Sequence, residues 1–240
     1  MIDASHNPRQ NHLLAALPHA QWMIWRSHFE YVDLVLGQVL YEPGSTLTHV
    51  YFPTTAIVSL LYVMHNGEAA EIAVVGNEGV LGVSLFMGGE STSSRAVVQS
   101  AGGAYRLTAE RMREEFYRAG PVLHLLLCYT QALMTQMVQT AACNKHHSLD
   151  QQFCRWLLLS LDRLQGTEMI MTQKLIAHML GVDPKIAIDG ALQLQDAGLI
   201  EYKAGRIRVL DRDRLETRSC ECYAVVKKEY DRLLPYKVAA

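Results

Sequence analysis

A long segment without any charged side chain constrains this chain more than any other feature. Residues 120–144 contain no Asp, Glu, Lys or Arg and are rich in Leu, Met, Ala and Gln, which favour helix formation. Pro121 suits the first turn of a helix, because the N–H that proline lacks would have no partner there. At 1.5 Å per residue the predicted helix is roughly 37 Å long. Because it is apolar on nearly every side, it must be covered on nearly every side.

Three surroundings are compatible with such a helix. Its length suits a membrane span, but Gln131, Gln136 and Gln139 argue against one, because amides at mid-membrane depth are costly. It can be the central core helix of one globular domain. It can also be a dimer spine, with one face on its own domain and the other on a second copy. We favour the dimer spine, and steps of three and four residues define its predicted seam: Leu126, Thr130, Leu133, Met137 and Thr140.

The composition indicates a cytoplasmic protein with a substantial hydrophobic core. The chain has 240 residues, enough for one or two domains, and 50% of them are hydrophobic. Its first residues are polar and no apolar segment follows them, so we expect no signal peptide. The five cysteines lack the spacing of a secreted disulfide framework. The net charge of −2 gives no sign of nucleic-acid binding by itself.

Short β-strands are predicted on the N-terminal side of the long helix. Between residues 37 and 107, short runs of Val, Ile, Tyr and Phe alternate with glycine-rich turns, a pattern typical of an antiparallel sandwich or barrel. Asn66-Gly67 is a strong hairpin signal, because a type I′ turn needs positive φ at both central positions.

A helix-turn-helix is predicted on the C-terminal side. Thr172 can cap a helix over Gln173–Leu180, and Gly181 ends that helix in a tight turn. Asp183 and Pro184 then begin a second helix, with aspartate as the N-cap and proline at the first helical position. Two short helices around a glycine turn are the pattern of a helix-turn-helix.

A β-hairpin, or wing, follows the two helices at residues 199–210 and carries Lys203, Arg206 and Arg208, which are well placed for phosphates. We therefore expect an α+β protein with a jelly-roll-like β-roll at residues 1–119, a dimerisation helix and hinge at 120–147, and a winged helix-turn-helix with a C-terminal helix at 148–240. The predicted DNA contacts are Thr172, Gln173, Lys174, Lys185, Asp189, Lys203, Arg206 and Arg208.

The second helix of this motif has an unusual composition for DNA recognition. Lys185 is its only cation. Asp189 can accept a hydrogen bond from a cytosine amine but repels phosphate. Gly190 costs about 1 kcal/mol against alanine inside a helix. A second hypothesis therefore stays open, in which the protein is a small-molecule sensor or protein-interaction module that has lost sequence-specific DNA binding.

With these elements in this order, the chain resembles the Crp/Fnr superfamily of bacterial transcription regulators over about residues 12–235. The resemblance implies an eight-stranded β-roll, a long dimerisation helix and a winged helix-turn-helix. It also implies a homodimer that binds double-stranded promoter DNA, contacts RNA polymerase and usually responds to a small effector. The residues that carry it are Tyr41-Glu42-Pro43-Gly44, Gly76-Asn77-Glu78-Gly79, Thr172-Gln173, Ile176-Ala177, Gly181 and Ala197-Gly198-Leu199-Ile200.

The effector motifs of the cyclic-nucleotide members are altered in this chain. Those members hold the ribose with the glutamate of Gly-Glu-Leu and the phosphate with the arginine of Arg-Ser/Thr-Ala. Here Val83 replaces the glutamate, and Arg95 comes one place late, so that its side chain points to the opposite side of an extended strand. We expect an effector other than cyclic AMP, or none. The predicted effector pocket consists of Gly82, Val83, Ser84, Ser94 and Arg95.

No metal, cofactor or catalytic site is predicted. Cys220 and Cys222 fall on a predicted helix over residues 212–234, where positions i and i+2 do not share a face. His146 and His147 could bind a metal, but they lie in a predicted hinge over residues 145–148 and have no third ligand at a useful spacing. No cysteine precedes Cys128, which argues against an N-terminal iron–sulfur cluster of the Fnr type. The chain has no catalytic triad order, P-loop or dinucleotide motif, so we do not expect an enzyme.

Overall fold

The computed structural model describes residues 7–164 and 166–234. Two short helices, α1 (His12–Ala15) and α2 (His19–Trp25), precede the β-roll. The strands of the roll are β1 (Glu30–Leu34), β2 (Val39–Tyr41), β3 (His49–Pro53), β4 (Ile57–Val63), β5 (Ala69–Val75), β6 (Ser94–Ser100) and β7 (Gly102–Thr108).

These strands form two antiparallel sheets, with the orders β1-β7-β3 and β2-β6-β4-β5. Side chains from both sheets, among them Phe52 and Val98, share one hydrophobic core. The expected eighth strand is replaced in the described chain by an isolated bridge between Tyr51 and Leu81. Gly82 then adopts a left-handed conformation and begins a 3-10 helix, Val83–Phe86, so strand pairing cannot continue.

The long uncharged segment is a helix, as predicted. A short helix, α3 (Ala109–Arg118), leads into α4 (Pro121–His146), which runs two residues beyond the predicted stretch. The expected hinge at residues 145–148 is a tight corner instead. His147 ends α4 in an extended conformation, and Ser148 caps α5 (Leu149–Leu161) through a capping box with Gln151.

The C-terminal region contains the predicted winged helix-turn-helix. Its helices are α6 (Gln173–Leu180) and α7 (Pro184–Asp196), and its three-stranded sheet has the order β8-β10-β9, with β8 at Glu168–Ile170, β9 at Ile200–Lys203 and β10 at Arg206–Val209. The predicted single C-terminal helix is two helices, α8 (Arg212–Arg218) and α9 (Glu221–Leu233). They are separated at Ser219 and Cys220, which are extended, and Cys220 is the N-cap of α9.

The last helix, α9, folds back along α4. The rings of Tyr129 and Tyr230 meet edge to face at 6.5 Å, and Gln131 Nε2 donates to Glu229 Oε1 at 3.3 Å. The β-roll covers a second side of α4, where Leu126 and Leu133 belong to its core. In the part of the chain that the structure describes, no helix combines the length and apolarity needed to cross a membrane.

Candidate nucleic-acid interface

Side-chain caps define both helices of the helix-turn-helix. Thr172 Oγ1 accepts from the Leu175 amide at 3.3 Å at the start of α6, and Gly181, with φ 64°, ends that helix. Asp183 Oδ1 accepts from the Lys185 amide at 2.8 Å at the start of α7. Thr172, Gln173 and Lys174 are exposed. The first turn of α6 therefore presents its N–H groups and a cation to solvent, an arrangement that favours phosphate.

The inner face of α7 consists of small and branched residues. Ala187, Ala191 and Leu194 are fully buried, whereas Ile186 is exposed and Ile188 half-buried. Gly190 lies toward the ring of Phe153, whose Cδ1 would be 3.8 Å from an added Cβ. That separation is an ordinary van der Waals contact, so packing does not require glycine at this position.

The outer face of α7 is weakly polar and carries little positive charge. Lys185 and Asp189, the predicted DNA contacts of this helix, are exposed and one turn apart, and the exposed apolar side chains Ile186 and Leu192 lie beside them. Gln193 and Asp196 continue this face toward the end of the helix. The outer face of α7 therefore presents one cation, two carboxylates, one amide and two apolar side chains to a DNA base or to any other partner.

The wing presents two of its three predicted phosphate contacts freely to solvent. Lys203 and Arg206 are exposed on either side of a tight turn, in which Ala204 and Gly205 both have positive φ. The guanidinium of Arg208 is instead bound to Glu168, with Nε at 2.7 Å from Oε1, and to Glu201 at 3.4 Å. These carboxylates hold Arg208 on the sheet, so its predicted contact with a phosphate would have to compete with two ion pairs.

One exposed residue that the sequence analysis did not single out lies beside the predicted contacts. His178 follows Lys174 by four residues on α6, a spacing that puts both side chains on one face of the helix. Both line an open groove of about 650 Å³ between α6 and α7, together with Thr172 and Pro184. The i, i+4 spacing is the signal that would have identified it.

A buried aromatic side chain lies at the predicted effector pocket. Tyr41 is 9% exposed, and its hydroxyl lies near the backbone of Gly82 and the side chain of Ser94. Burial raises the pKa of this hydroxyl, so it stays neutral. A Cβ at Gly82 would lie only 3.3 Å from His49 O and from Val50 Cγ1. Gly82 and Ser94 therefore both lie close to the buried Tyr41 side chain.

The remaining pocket residues do not present free groups for a phosphate. Arg95 points its Nε at Glu42 Oε2, 2.6 Å away, on the partly exposed side of the sheet. Val83 and Ser84 are half-buried in the 3-10 helix, where the Ser84 hydroxyl is buried without a hydrogen-bond partner among the described residues. Arg95, which the sequence places one position late for a phosphate contact, is therefore already paired with Glu42.

The predicted dimer seam lies inside the protomer, and the structure corrects that prediction. Leu126 and Leu133 are buried in the core of the β-roll, with Met137 packed against it. Thr130 and Thr140 are buried, and Thr140 accepts from Arg155 Nη1 at 3.1 Å. The exposed apolar side chains of α4 are on another face, and they are Leu127, Met134 and Val138.

A buried polar cluster joins the β-roll to the helix that precedes the helix-turn-helix. Arg163, just past α5, pairs with Glu78, which also accepts from the Gly76 amide at 3.1 Å. Gln136 of α4 donates to Val74 O at 3.0 Å and accepts from Arg163 Nη2 at 3.4 Å. A Cβ at Gly76 would lie 2.7 Å from Arg163 Cβ, which explains glycine in the Gly76-Asn77-Glu78-Gly79 motif.

Four potential metal ligands meet where α4 ends and α9 begins, although the sequence predicted no metal site. Cys143, His147, Cys220 and Cys222 place one ligand atom each within 4.8 Å of all the others. The prediction assumed that Cys220 and Cys222 share one continuous helix, but Cys220 is the extended N-cap of α9, so both thiols can face the same point. Cys220 and Cys222 are 73 and 75 residues away from His147 in the chain, so local spacing in the sequence could not indicate that they lie together.

Two domain families together define the class of this protein. Residues 32–118 match the family of cyclic nucleotide-binding domains, and residues 151–218 match the Crp-like helix-turn-helix domain. The two matches cover more than half of the chain. A regulator with a sensor β-roll and a DNA-binding helix-turn-helix is the class that this combination defines. The chain belongs to the Crp/Fnr superfamily of transcription regulators.

Solved structures with the same fold have distant sequences. FixK2 from Bradyrhizobium japonicum is 16% identical with a TM-score of 0.67, over 80% of this chain and 98% of that one. A CRP-family transcriptional regulator from Thermus thermophilus is 17% identical with a TM-score of 0.64, over 78% and 96%. The c-di-GMP responsive regulator CLP from Xanthomonas campestris is 14% identical with a TM-score of 0.62, over 81% and 100%. No curated protein sequence matches the chain.

Proposed function

We propose that the protein acts as a homodimer that binds an inverted-repeat DNA site, without cyclic AMP as its effector. The observation that carries the proposal is the pairing of two exposed features on one protomer. One is the helix-turn-helix with its wing, and the other is an uncovered apolar face on α4. In this proposal a second copy covers that face and supplies the second helix-turn-helix, and the bound dimer contacts RNA polymerase.

The uncovered face of α4 has the spacing of a coiled-coil seam. Leu127, Met134 and Val138 are 48%, 56% and 66% exposed, unusually high for large apolar side chains on a helix this apolar. Leu127, Met134 and Ala141 follow one another at intervals of seven, and Gln131 and Val138 take the intervening positions. A second α4 laid along this face would remove the same residues from water on both chains, as two-fold symmetry requires.

The residues proposed to contact DNA differ in role. Thr172, Gln173 and Lys174 at the start of α6, and Lys203 and Arg206 on the wing, would contact phosphates and set the position of the protein. Lys185 and Asp189 on α7 would contact base edges in the major groove, lysine to guanine and aspartate to a cytosine amine. Ile186 would contact a thymine methyl group. Arg208 would contribute to DNA binding indirectly, because its ion pairs with Glu168 and Glu201 hold the strands of the wing together.

The surroundings of Tyr41 and Arg95 support an effector other than cyclic AMP. Tyr41 is buried beside Gly82 and Ser94, and Arg95 is paired with Glu42. A nucleotide at this position would have to displace a buried ring and break an ion pair before gaining any contact of its own. An effector of different chemistry, or direct control without a small molecule, fits these residues better.

Selection from a pool of random duplexes tests the proposal. At moderate salt, the dimer should enrich an inverted repeat whose half-site centres are about 34 Å apart, or a multiple of that distance. Lys185→Ala should relax or weaken the selected sequence, and Lys228→Ala, an exposed lysine on α9, is the matched control. If the wild-type protein enriches no inverted repeat, the alternative gains ground, namely a sensor or protein-interaction module that no longer binds specific DNA.

A further inference from the structure

We propose that Cys143, His147, Cys220 and Cys222 form a structural zinc site that joins the end of α4 to the start of α9. Three thiols and one imidazole are a closed ligand set that structural Zn²⁺ sites use. Cys143 lies in the last turn of α4, and His147 is the residue that ends the helix, with its amide donating to Cys143 O at 3.0 Å. Cys220 and Cys222 approach these two residues from the cap and first turn of α9.

Two of the distances between ligand atoms are close to those around a tetrahedral zinc ion. Cys143 Sγ lies 3.4 Å from Cys220 Sγ, and Cys222 Sγ lies 3.5 Å from His147 Nδ1. Around a tetrahedral ion with Zn–S near 2.3 Å and Zn–N near 2.0 Å, ligand atoms are about 3.5 to 3.8 Å apart. All four ligand atoms lie within 4.8 Å of one another, so shifts of up to about 1 Å would bring every pair to these separations.

The second nitrogen of His147 supports its assignment as a ligand. Nε2 lies 3.3 Å from Glu221 Oε2, while Nδ1 faces the thiols. A metal-bound histidine usually donates its other ring N–H to a carboxylate, which fixes the tautomer and orients the ring. Glu221 lies between the two cysteines of α9, so the same short segment supplies two ligands and the group that orients a third.

A buried cation beside the cluster matches the charge of the proposed site. Three thiolates, one neutral imidazole and Zn²⁺ sum to a net charge of −1. Arg155 is buried, and its positive charge lies within electrostatic reach of the Cys143 and Cys222 thiols. Its Nη1 donates to Thr140, while its Nε has no hydrogen-bond partner among the described residues. The buried carboxyl of Glu71 also lies within electrostatic reach of Arg155, and a zinc–thiolate centre would add a second negative group beside the guanidinium.

The proposed zinc site would link the dimer face of α4 to the DNA-binding region. α4 bears the proposed dimer face, whereas α9 packs against both α4 and α5, the helix that leads into the helix-turn-helix. A metal that ties α4 to α9 therefore fixes the DNA-binding region relative to the dimer face. The site itself stands on its ligands alone, so it does not depend on whether the protein binds DNA.

Metal analysis of the full chain tests the site directly. Protein purified without chelators or immobilised metal should contain about one Zn²⁺ per protomer. After exchange with Co²⁺, it should show thiolate-to-cobalt charge transfer and the visible bands of a tetrahedral ion. Cys143→Ser, Cys222→Ser and His147→Gln should each lower the zinc content or change the cobalt spectrum. The matched controls Cys128→Ser, Cys154→Ala and His146→Gln should leave both unchanged.

The wild-type measurements decide the question even where a ligand variant fails to fold. A folded wild-type protein with neither stoichiometric zinc nor a cobalt–thiolate spectrum would overturn the proposal. So would a zinc content that survives in folded Cys143→Ser and Cys222→Ser but is lost in a control variant, since the ion would then be bound elsewhere. DNA selection reports separately on the regulator, because zinc content and duplex enrichment are independent readouts.

Discussion

Arg163 Nε lies 2.8 Å from Glu78 Oε1, and this pair connects the DNA-binding region to the β-roll. Their side chains are only 5% and 14% exposed. Arg163 also lies over the ring of Tyr230, with its Cζ 5.7 Å from the ring centroid. This ion pair joins the Gly76-Asn77-Glu78-Gly79 motif of the β-roll to the end of α5, and Arg163 also contacts Tyr230 of α9. A conformational change in the β-roll can therefore be transmitted to the helix-turn-helix.

Breaking this buried pair should destabilise the protein strongly. Glu78→Gln leaves the Arg163 guanidinium buried without its counter-charge, and a buried pair broken on one side typically costs about 3–5 kcal/mol. Urea denaturation measures the loss. Glu42→Gln, which breaks the partly exposed pair with Arg95, is the control and should cost no more than about 1 kcal/mol. Equal effects of the two substitutions would contradict this role for Glu78.

Gly190→Ala should stabilise the protein by about 0.4–1 kcal/mol, because alanine restricts the unfolded chain and favours helix. The added methyl group would meet Phe153 at an ordinary contact distance. Gly181→Ala is the matched control, since Gly181 has φ 64° and alanine there should destabilise. Thermal unfolding of both variants measures the difference. A loss of stability in Gly190→Ala would mean that α7 cannot accept a Cβ at this position.

Met134→Glu should separate the dimer and leave each protomer folded. The side chain is exposed in the protomer, so a charge there costs little until a second α4 covers it. Leu133→Glu is the informative comparison, because Leu133 lies in the core of the β-roll and a charge there should unfold the protomer itself. Sedimentation and circular dichroism distinguish the two outcomes. A Met134→Glu protein that remains dimeric would show that another face of the molecule associates.

Cyclic AMP should not raise the melting temperature of the protein. A ligand at 100 times its dissociation constant adds about 2.7 kcal/mol of stability, which a thermal scan detects easily. Tyr41→Ala would remove the buried ring beside Gly82 and Ser94, and a scan of this variant with cyclic AMP shows whether the ring excludes the ligand. A clear upward shift of the wild-type melting temperature with millimolar cyclic AMP would contradict the proposal that the effector is not cyclic AMP.

Local chemistry made much of this fold predictable from the sequence. The caps Thr172 and Asp183, together with the glycine turn at Gly181, fix the helix-turn-helix through neighbouring residues alone, and its bounds agree within a residue. The uncharged segment likewise predicted α4. Short-range preferences suffice wherever a structure is determined by neighbours within a few residues.

The features that sequence could not supply depend on distant contacts. Because α4 is apolar on nearly all sides, its periodicity does not say which face meets its own β-roll, and the predicted seam residues Leu126 and Leu133 lie in that core. The approach of Cys143 to Cys220 joins residues 77 apart in the chain. The pairing of Arg208 with Glu168 likewise depends on strand order in the wing. No local pattern encodes these three arrangements.

The salt dependence of binding to the selected duplex tests the central claim most directly. With Lys174, Lys203 and Arg206 of both protomers on phosphates, the logarithm of the binding constant should fall against the logarithm of salt concentration with a slope of about −5. Arg206→Ala removes one contact per protomer and should reduce that slope by about 2, whereas Lys228→Ala should not change it. A slope near zero for the wild-type protein, or one that Arg206→Ala leaves unchanged, would contradict DNA binding through the helix-turn-helix and its wing.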